Sequence, residues 1–165
     1  MMNFFSTFFE YFTIIAACSF FGSRFTGKDF YQHELKKPSF APPPFVFGIV
    51  WSILYLLQAI GVTIVHQIEL GPNTLVPNSF TIFVFFAWLF VSTLWTPIFF
   101  AMKKLQLALI WIIICFILSV CTTFVFFQVS QISGMLMAPT CLWVGFASIL
   151  NFYIVKLNPT YKKRD

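Results

Sequence analysis

Residues 36–58 read KKPSFAPPPFVFGIVWSILYLLQ, and this passage from a basic, proline-rich loop straight into an apolar helix decides the fold. Pro38, Pro42, Pro43 and Pro44 each fix φ and remove a backbone donor, so the chain before about Phe45 cannot lie inside a regular helix. Pro44 suits a first helical position. Beyond it Trp51, Tyr55 and Gln58 recur at helical spacing, a stripe of aromatic and hydrogen-bonding groups on an otherwise apolar element.

Working outward, the whole chain shares that apolar character. Of 165 residues 59% are hydrophobic and only 9% charged, against about a quarter charged in soluble domains. The chain reads as an all-α integral membrane protein. Five stretches have the roughly 20 residues needed to cross a hydrocarbon core: about 4–22, 45–67, 79–101, 105–127 and 132–155. A single bundle of five transmembrane helices follows, with a long structured loop, 23–44, between the first two. The 25 phenylalanines are most simply a composition bias and mark no site.

Charge fixes the expected orientation. All ten basic residues lie in alternate connections: Arg24, Lys28, Lys36 and Lys37, then Lys103 and Lys104, then Lys156, Lys162, Lys163 and Arg164. The positive-inside rule puts that end in the cytoplasm and the N-terminus outside. The net charge of +5 therefore points to anionic lipid headgroups and not to nucleic acid. Cys18, Cys115, Cys121 and Cys141 fall inside spans without a CxxC pair or a histidine cluster, which supports neither a disulfide framework nor a metal site.

Within the spans, Ser6, Glu10, Thr13 and Ala17 form one polar or small face that is expected to turn toward other helices. Trp88, Ser92, Trp95 and Phe99 form a stripe on the third span, Trp88 standing equally well for a membrane-interface belt. On the fifth, Cys141, Gly145 and Ser148 allow close backbone approach, within the chain or in a homodimer. Trp143, Ala147, Leu150 and Ile154 make a second face with a notch above Ala147, a ligand surface. Asn151, between the faces, is expected to hydrogen-bond to another helix. In the 23–44 loop His33 and Glu34 have no nucleophile at a useful spacing, so His33 reads as solvated. The segment reads as a lid on the bundle.

Four motifs give the chain a family resemblance. Between Tyr31 and Tyr55 stand Leu35, Lys37, Pro38, Pro42, Pro43, Phe47, Gly48, Trp51, Leu54 and Tyr55; GSRF occupies 22–25; Trp95, Pro97, Ile98, Phe99 and Phe100 follow; and P-x-x-x-W-x-x-F-A-x-x-L-N fills 139–151. On these residues the chain resembles the translocator protein family, also called TspO/MBR, tryptophan-rich sensory proteins or peripheral benzodiazepine receptors. Family tryptophans are replaced by Tyr31, Phe40 and Phe45, the loop tyrosine by Gln32, the third-span asparagine by Ser92, and a proline–tyrosine pair by Pro139-Thr140. Aromatic volume is kept while several indole and phenol donors are not.

The resemblance implies a pocket closed by the loop, with Lys37, Pro38, Pro42 and Pro43 in the lid and Phe47, Trp51, Tyr55, Trp95, Phe99, Trp143, Ala147 and Leu150 around the ligand. The ligand it implies is a tetrapyrrole, protoporphyrin IX or haem, bound as a ligand and not as a cofactor. Trp51 and Trp143 match tryptophans implicated in light-dependent porphyrin breakdown, so an enzyme is the alternative; a lipid or small-molecule transporter is the third reading, though no internal repeat supports it. A sterol is implied more loosely by Leu150, Tyr153 and Lys156. Homodimers and either a bacterial inner or a mitochondrial outer membrane are likewise what the resemblance implies.

Overall fold

A computed structural model describes residues 3–27, 29–68, 76–159 and 161. Lys28, Lys162, Lys163, Arg164 and most of the connection after the second span lie outside the described residues. Among those described, five helices are long and apolar enough to cross a membrane: α1 (Phe4–Ser23), α2 (Pro44–Gln67), α3 (Asn78–Thr96), α4 (Leu105–Val129) and α5 (Gln131–Leu157). Asn3 caps α1 through its side chain, and Pro44 opens α2 as its first residue. α3 runs on into a wide turn, Pro97–Ala101, closed by Met102 N–H on the Pro97 carbonyl at 2.9 Å. The chain then reverses at Lys103, whose φ of 53° is the left-handed conformation in which a side chain costs backbone energy. Ser130 alone connects α4 to α5, capping α5 with its hydroxyl, so those two spans run longer than hydropathy indicates.

Contacts between neighbours set the order around the bundle as α1, α2, α5, α4, α3, with α2 also reaching α3 and α4 across the interior. Apolar side chains cover the outside: Phe5, Phe83, Phe90, Phe124 and Leu142 are all exposed. Polar side chains are inside: Thr7, Gln58, Thr63, Thr81, Ser119, Thr122, Ser133, Thr140 and Asn151 are buried. This inversion is what a hydrocarbon surround selects, since no water is available there to a polar group. Most of the hydroxyls settle themselves on their own helix, as Thr63 does on the Ala59 carbonyl and Thr122 on the Leu118 carbonyl, both at 2.7 Å. Gln58 reaches across from α2, donating its Nε2 to the Thr140 hydroxyl of α5 at 3.0 Å.

One face differs from the sequence expectation, and one open alternative is decided. Ser6, Glu10, Thr13 and Ala17 are exposed on the outer side of α1, and Thr7, Tyr11, Ile15 and Gly22 face inward instead. Hydropathy contrast misleads here, because an inward face and a lipid face are both largely apolar. Tyr11 carries the inward polarity, its hydroxyl 2.6 Å from His66 Nδ1 at the far end of α2. Trp88 is wholly buried against Phe85, so it belongs to the core and not to an interfacial belt.

The small-residue positions of α5 bring helices together inside the chain. Gly145 lies under the Phe116 ring of α4, and the Ser148 hydroxyl approaches the Ile112 carbonyl at 3.4 Å. Gly134 is the tightest such point, since a Cβ built there overlaps the Phe127 ring. Gly48 has nothing within 4 Å of the corresponding position. Gly134→Ala is therefore expected to destabilise the bundle by about 1–3 kcal/mol. Gly48→Ala is expected to stabilise it by about 0.5–1 kcal/mol. Thermal unfolding in one detergent checks the pair, and opposite signs are the required result.

Candidate functional site

The lid is built on aromatic contacts. Residues Phe30–Glu34 make one wide helical turn that buries Phe30 and Tyr31, and Leu35 follows them inside. Phe30 meets Phe99 at 5.7 Å between ring centroids, while Tyr31 stands edge-on to Phe47 at 6.0 Å. Phe47 in turn meets Trp143 at 5.7 Å, and Trp143 meets Phe146 at 5.3 Å. A continuous run of rings thus joins the lid, α2 and α5. Of these pairs Tyr31–Phe47 and Phe47–Trp143 are edge-to-face, a geometry that adds about 0.5–1.5 kcal/mol each beyond area burial. Phe40, at one of the replaced tryptophan positions, extends the run over Phe146 and Tyr153.

Two polar atoms lie within this run without a protein partner: the Tyr31 hydroxyl and the Trp143 indole N–H. Each such buried group costs about 1–3 kcal/mol. Burial also holds the Tyr31 phenol above its usual pKa, so it stays a neutral hydrogen-bond donor at physiological pH. Lys37 sits over the same ring, its ammonium 5.1 Å from the centroid.

The remaining expected ligand residues fall into two neighbouring clusters. Phe99 and Leu150 pack under the lid with Phe30, Leu35, Ile98 and Ala108. Trp51, Tyr55 and Ala147 pack against the bundle interior, with Trp51 and Tyr55 stacked on each other at 5.3 Å. Trp95 touches both clusters, but its indole is committed, donating to the Ala108 carbonyl at 3.1 Å. Trp111 does the reverse, from α4 to the Val91 carbonyl of α3 at 2.8 Å. These two indoles brace α3 against α4, a role that helical spacing alone does not reveal.

The sterol-type residues do not share a face: Leu150 is buried, while Tyr153 and Lys156 are exposed. A separate groove of about 490 Å³ opens between α1 and α3, lined by Ala17, Cys18 and Phe21 and by Phe86, Leu89 and Thr93. None of the eight expected ligand residues lines it. Among the described residues no cluster of three His, Cys, Asp or Glu could hold a metal ion. Asn151 does not make the interhelical bond expected of it; both its Oδ1 and its Nδ2 are buried without a partner.

At its basic end the lid is latched to two distant parts of the chain. Glu34 takes Lys103 on both carboxylate oxygens, at 2.8 and 3.0 Å, and accepts the Tyr161 hydroxyl at 2.8 Å. Lys103 also lies 4.9 Å from the centre of the Phe30 ring. Asn158, just past α5, accepts from Lys36 N–H at 3.0 Å and donates to the Lys36 carbonyl at 2.9 Å. The ion pair is partly exposed, 27% and 43% for its two side chains, so screening limits its strength. His33 is exposed beside it. Glu34→Gln is expected to raise deuterium exchange across 30–36 several-fold while leaving the α4–α5 hairpin unchanged. Added salt should do the same to the wild type, more weakly.

Comparison with known proteins places the chain among membrane proteins of one family. The TspO/MBR family profile matches residues 11–157. Protein CrtK of Rhodobacter capsulatus is 32% identical over 155 residues, covering 92% of each chain. A tryptophan-rich sensory protein of Cereibacter sphaeroides is 33% identical, covering 88% of this chain and 89% of its own. The human translocator protein is 32% identical over 145 residues, covering 84% and 82%.

Proposed function

The chain belongs to the TspO/MBR family of membrane proteins, and from that premise we propose that it is a receptor or carrier for a planar hydrophobic ligand, a tetrapyrrole such as protoporphyrin IX or haem. The ligand lies between α2 and α5 beneath the lid. One observation carries this reading: the run of rings from Tyr31 through Phe47 and Trp143 to Phe146, with the Tyr31 hydroxyl and the Trp143 N–H unmet inside it. A flat macrocycle inserted there exchanges ring–ring contacts for its own stacking, and its polar edge meets donors that have no protein acceptor.

The rings are in contact in the structure, so the ligand enters as the lid lifts. The latch at Glu34 and Asn158 is then what must open, and Lys36 and Lys37 stand where propionates would emerge. By the positive-inside rule that end faces the cytoplasm.

Protoporphyrin IX titrated into the purified protein is expected to quench tryptophan fluorescence saturably. Trp51→Phe with Trp143→Phe leaves three tryptophans to report, and the double variant is expected to bind at least about tenfold more weakly, roughly 1.4 kcal/mol. Equal affinity in the double variant would remove both residues from the site.

A further inference from the structure

Helices α1 and α3 touch at two heights and part between them. Tyr11 meets Phe86 at 6.0 Å between ring centroids, and a Cβ at Gly22 would lie 3.6 Å from Thr96 Oγ1. From residue 11 to residue 22 α1 rises about 16 Å, half of the roughly 30 Å hydrocarbon core. The groove of about 490 Å³ opens in that interval, walled by Ala17, Cys18 and Phe21 on one side and by Phe90, Thr93 and Leu94 on the other. Ala17 makes the room, an exposed methyl group on a helix whose other outward side chains include Phe5, Phe9, Phe20 and Phe21. The walls ask for no hydrogen bond. The Thr93 hydroxyl already donates to the Leu89 carbonyl at 2.8 Å, and none of the side chains that keep a buried polar atom without a partner lines the groove. An alkyl chain suits such a gap, and one leaflet's depth is its length.

A cation stands at the end of this gap. Arg24 keeps helical backbone angles and follows Ala17 by seven residues and Phe21 by three, within about 60° of both at a rotation of about 100° per residue. Its side chain is exposed, lies 5.8 Å from the centre of the Phe20 ring, and has no acidic partner among the described residues. A second depression on α1 is lined by Ser6, Phe9, Glu10, Thr13 and Ile14, and its carboxylate repels an anion. We propose that the α1–α3 groove binds an anionic phospholipid, one acyl chain lying between the helices and the phosphate pairing with Arg24. A guanidinium takes two phosphate oxygens at once, in a fork geometry that an ammonium lacks. A zwitterionic lipid carries its own cation beside the phosphate and gains less. This site is separate from the one between α2 and α5 and stands whether or not that reading holds.

Native mass spectrometry tests it on the full chain released from nanodiscs that hold equal amounts of dioleoyl phosphatidylglycerol and dioleoyl phosphatidylcholine. The wild type is expected to retain one phosphatidylglycerol, favoured about fivefold over phosphatidylcholine, the effect of a single basic residue at an anionic surface. Arg24→Gln should bring that ratio to one and Arg24→Lys should keep part of it. Ala17→Phe fills the gap from an outward position and should lose both lipids, with the helical circular dichroism of all three variants unchanged. The wild type also gives a reading that needs no variant: phosphatidylglycerol added in detergent should raise its Tm, and glycerol 3-phosphate, the headgroup anion without chains, should not. Equal retention of the two lipids by the wild type, a preference that survives Arg24→Gln, retention that survives Ala17→Phe, or a Tm raised equally by glycerol 3-phosphate overturns the proposal. A lipid-free wild-type dimer that Ala17→Phe makes monomeric would turn the groove into a seam between two copies, and displacement of the phospholipid by equimolar cholesterol would turn it into a sterol site; either result overturns it as well.

Discussion

A polar group in hydrocarbon has no water to turn to, and this constraint governs how the five helices meet. Gln58 on Thr140 ties α2 to α5, Trp95 on the Ala108 carbonyl and Trp111 on the Val91 carbonyl tie α3 to α4, and Thr63 and Thr122 bond within their own helices. Packing then supplies the rest. Without a hydrophobic drive between helices in lipid, close approach at small residues matters more, and α5 provides it through Gly134 and Gly145 against α4. The constraint is not met everywhere: Tyr31, Gln58, Asn78, Trp88, Ser133, Trp143 and Asn151 each keep a buried polar atom without a protein partner.

The fold was legible because its signals are long and additive. Twenty apolar residues between charged connections need no tertiary information, and Pro44 marks the start of α2 by chemistry that acts on its own backbone. The basic connections gather at one end as alternation requires, with Glu34, Lys103 and Tyr161 in contact there. The end of α4 was less visible, since a single residue, Ser130, makes the turn into α5.

Site geometry was harder to read, for physical reasons that differ by residue. Polarity points the Glu10 face of α1 inward, but the bundle buries Tyr11 and Ile15 and leaves Glu10 outside. Trp95 and Trp143 look alike in sequence. One indole is bonded to a carbonyl across the helix pair and the other is not, a distinction set by partners on other helices. The latch was invisible for the same reason: Glu34 lies 69 residues from Lys103 and 127 from Tyr161.

These two kinds of attachment have unequal strength, and that inequality tells which part moves. The bundle is held by half-buried indole bonds, the buried Gln58 amide and rings packed against glycine, where opening exposes polar groups to lipid. The lid is held at its rim by a partly exposed ion pair and by Asn158 on the Lys36 backbone, where water can replace each contact at little cost. Its inner side gives up the apolar contacts of Phe30, Tyr31 and Leu35. A conformational change that uncovers the Phe47–Trp143 wall therefore costs least when it lifts residues 30–36 and leaves the helices where they are.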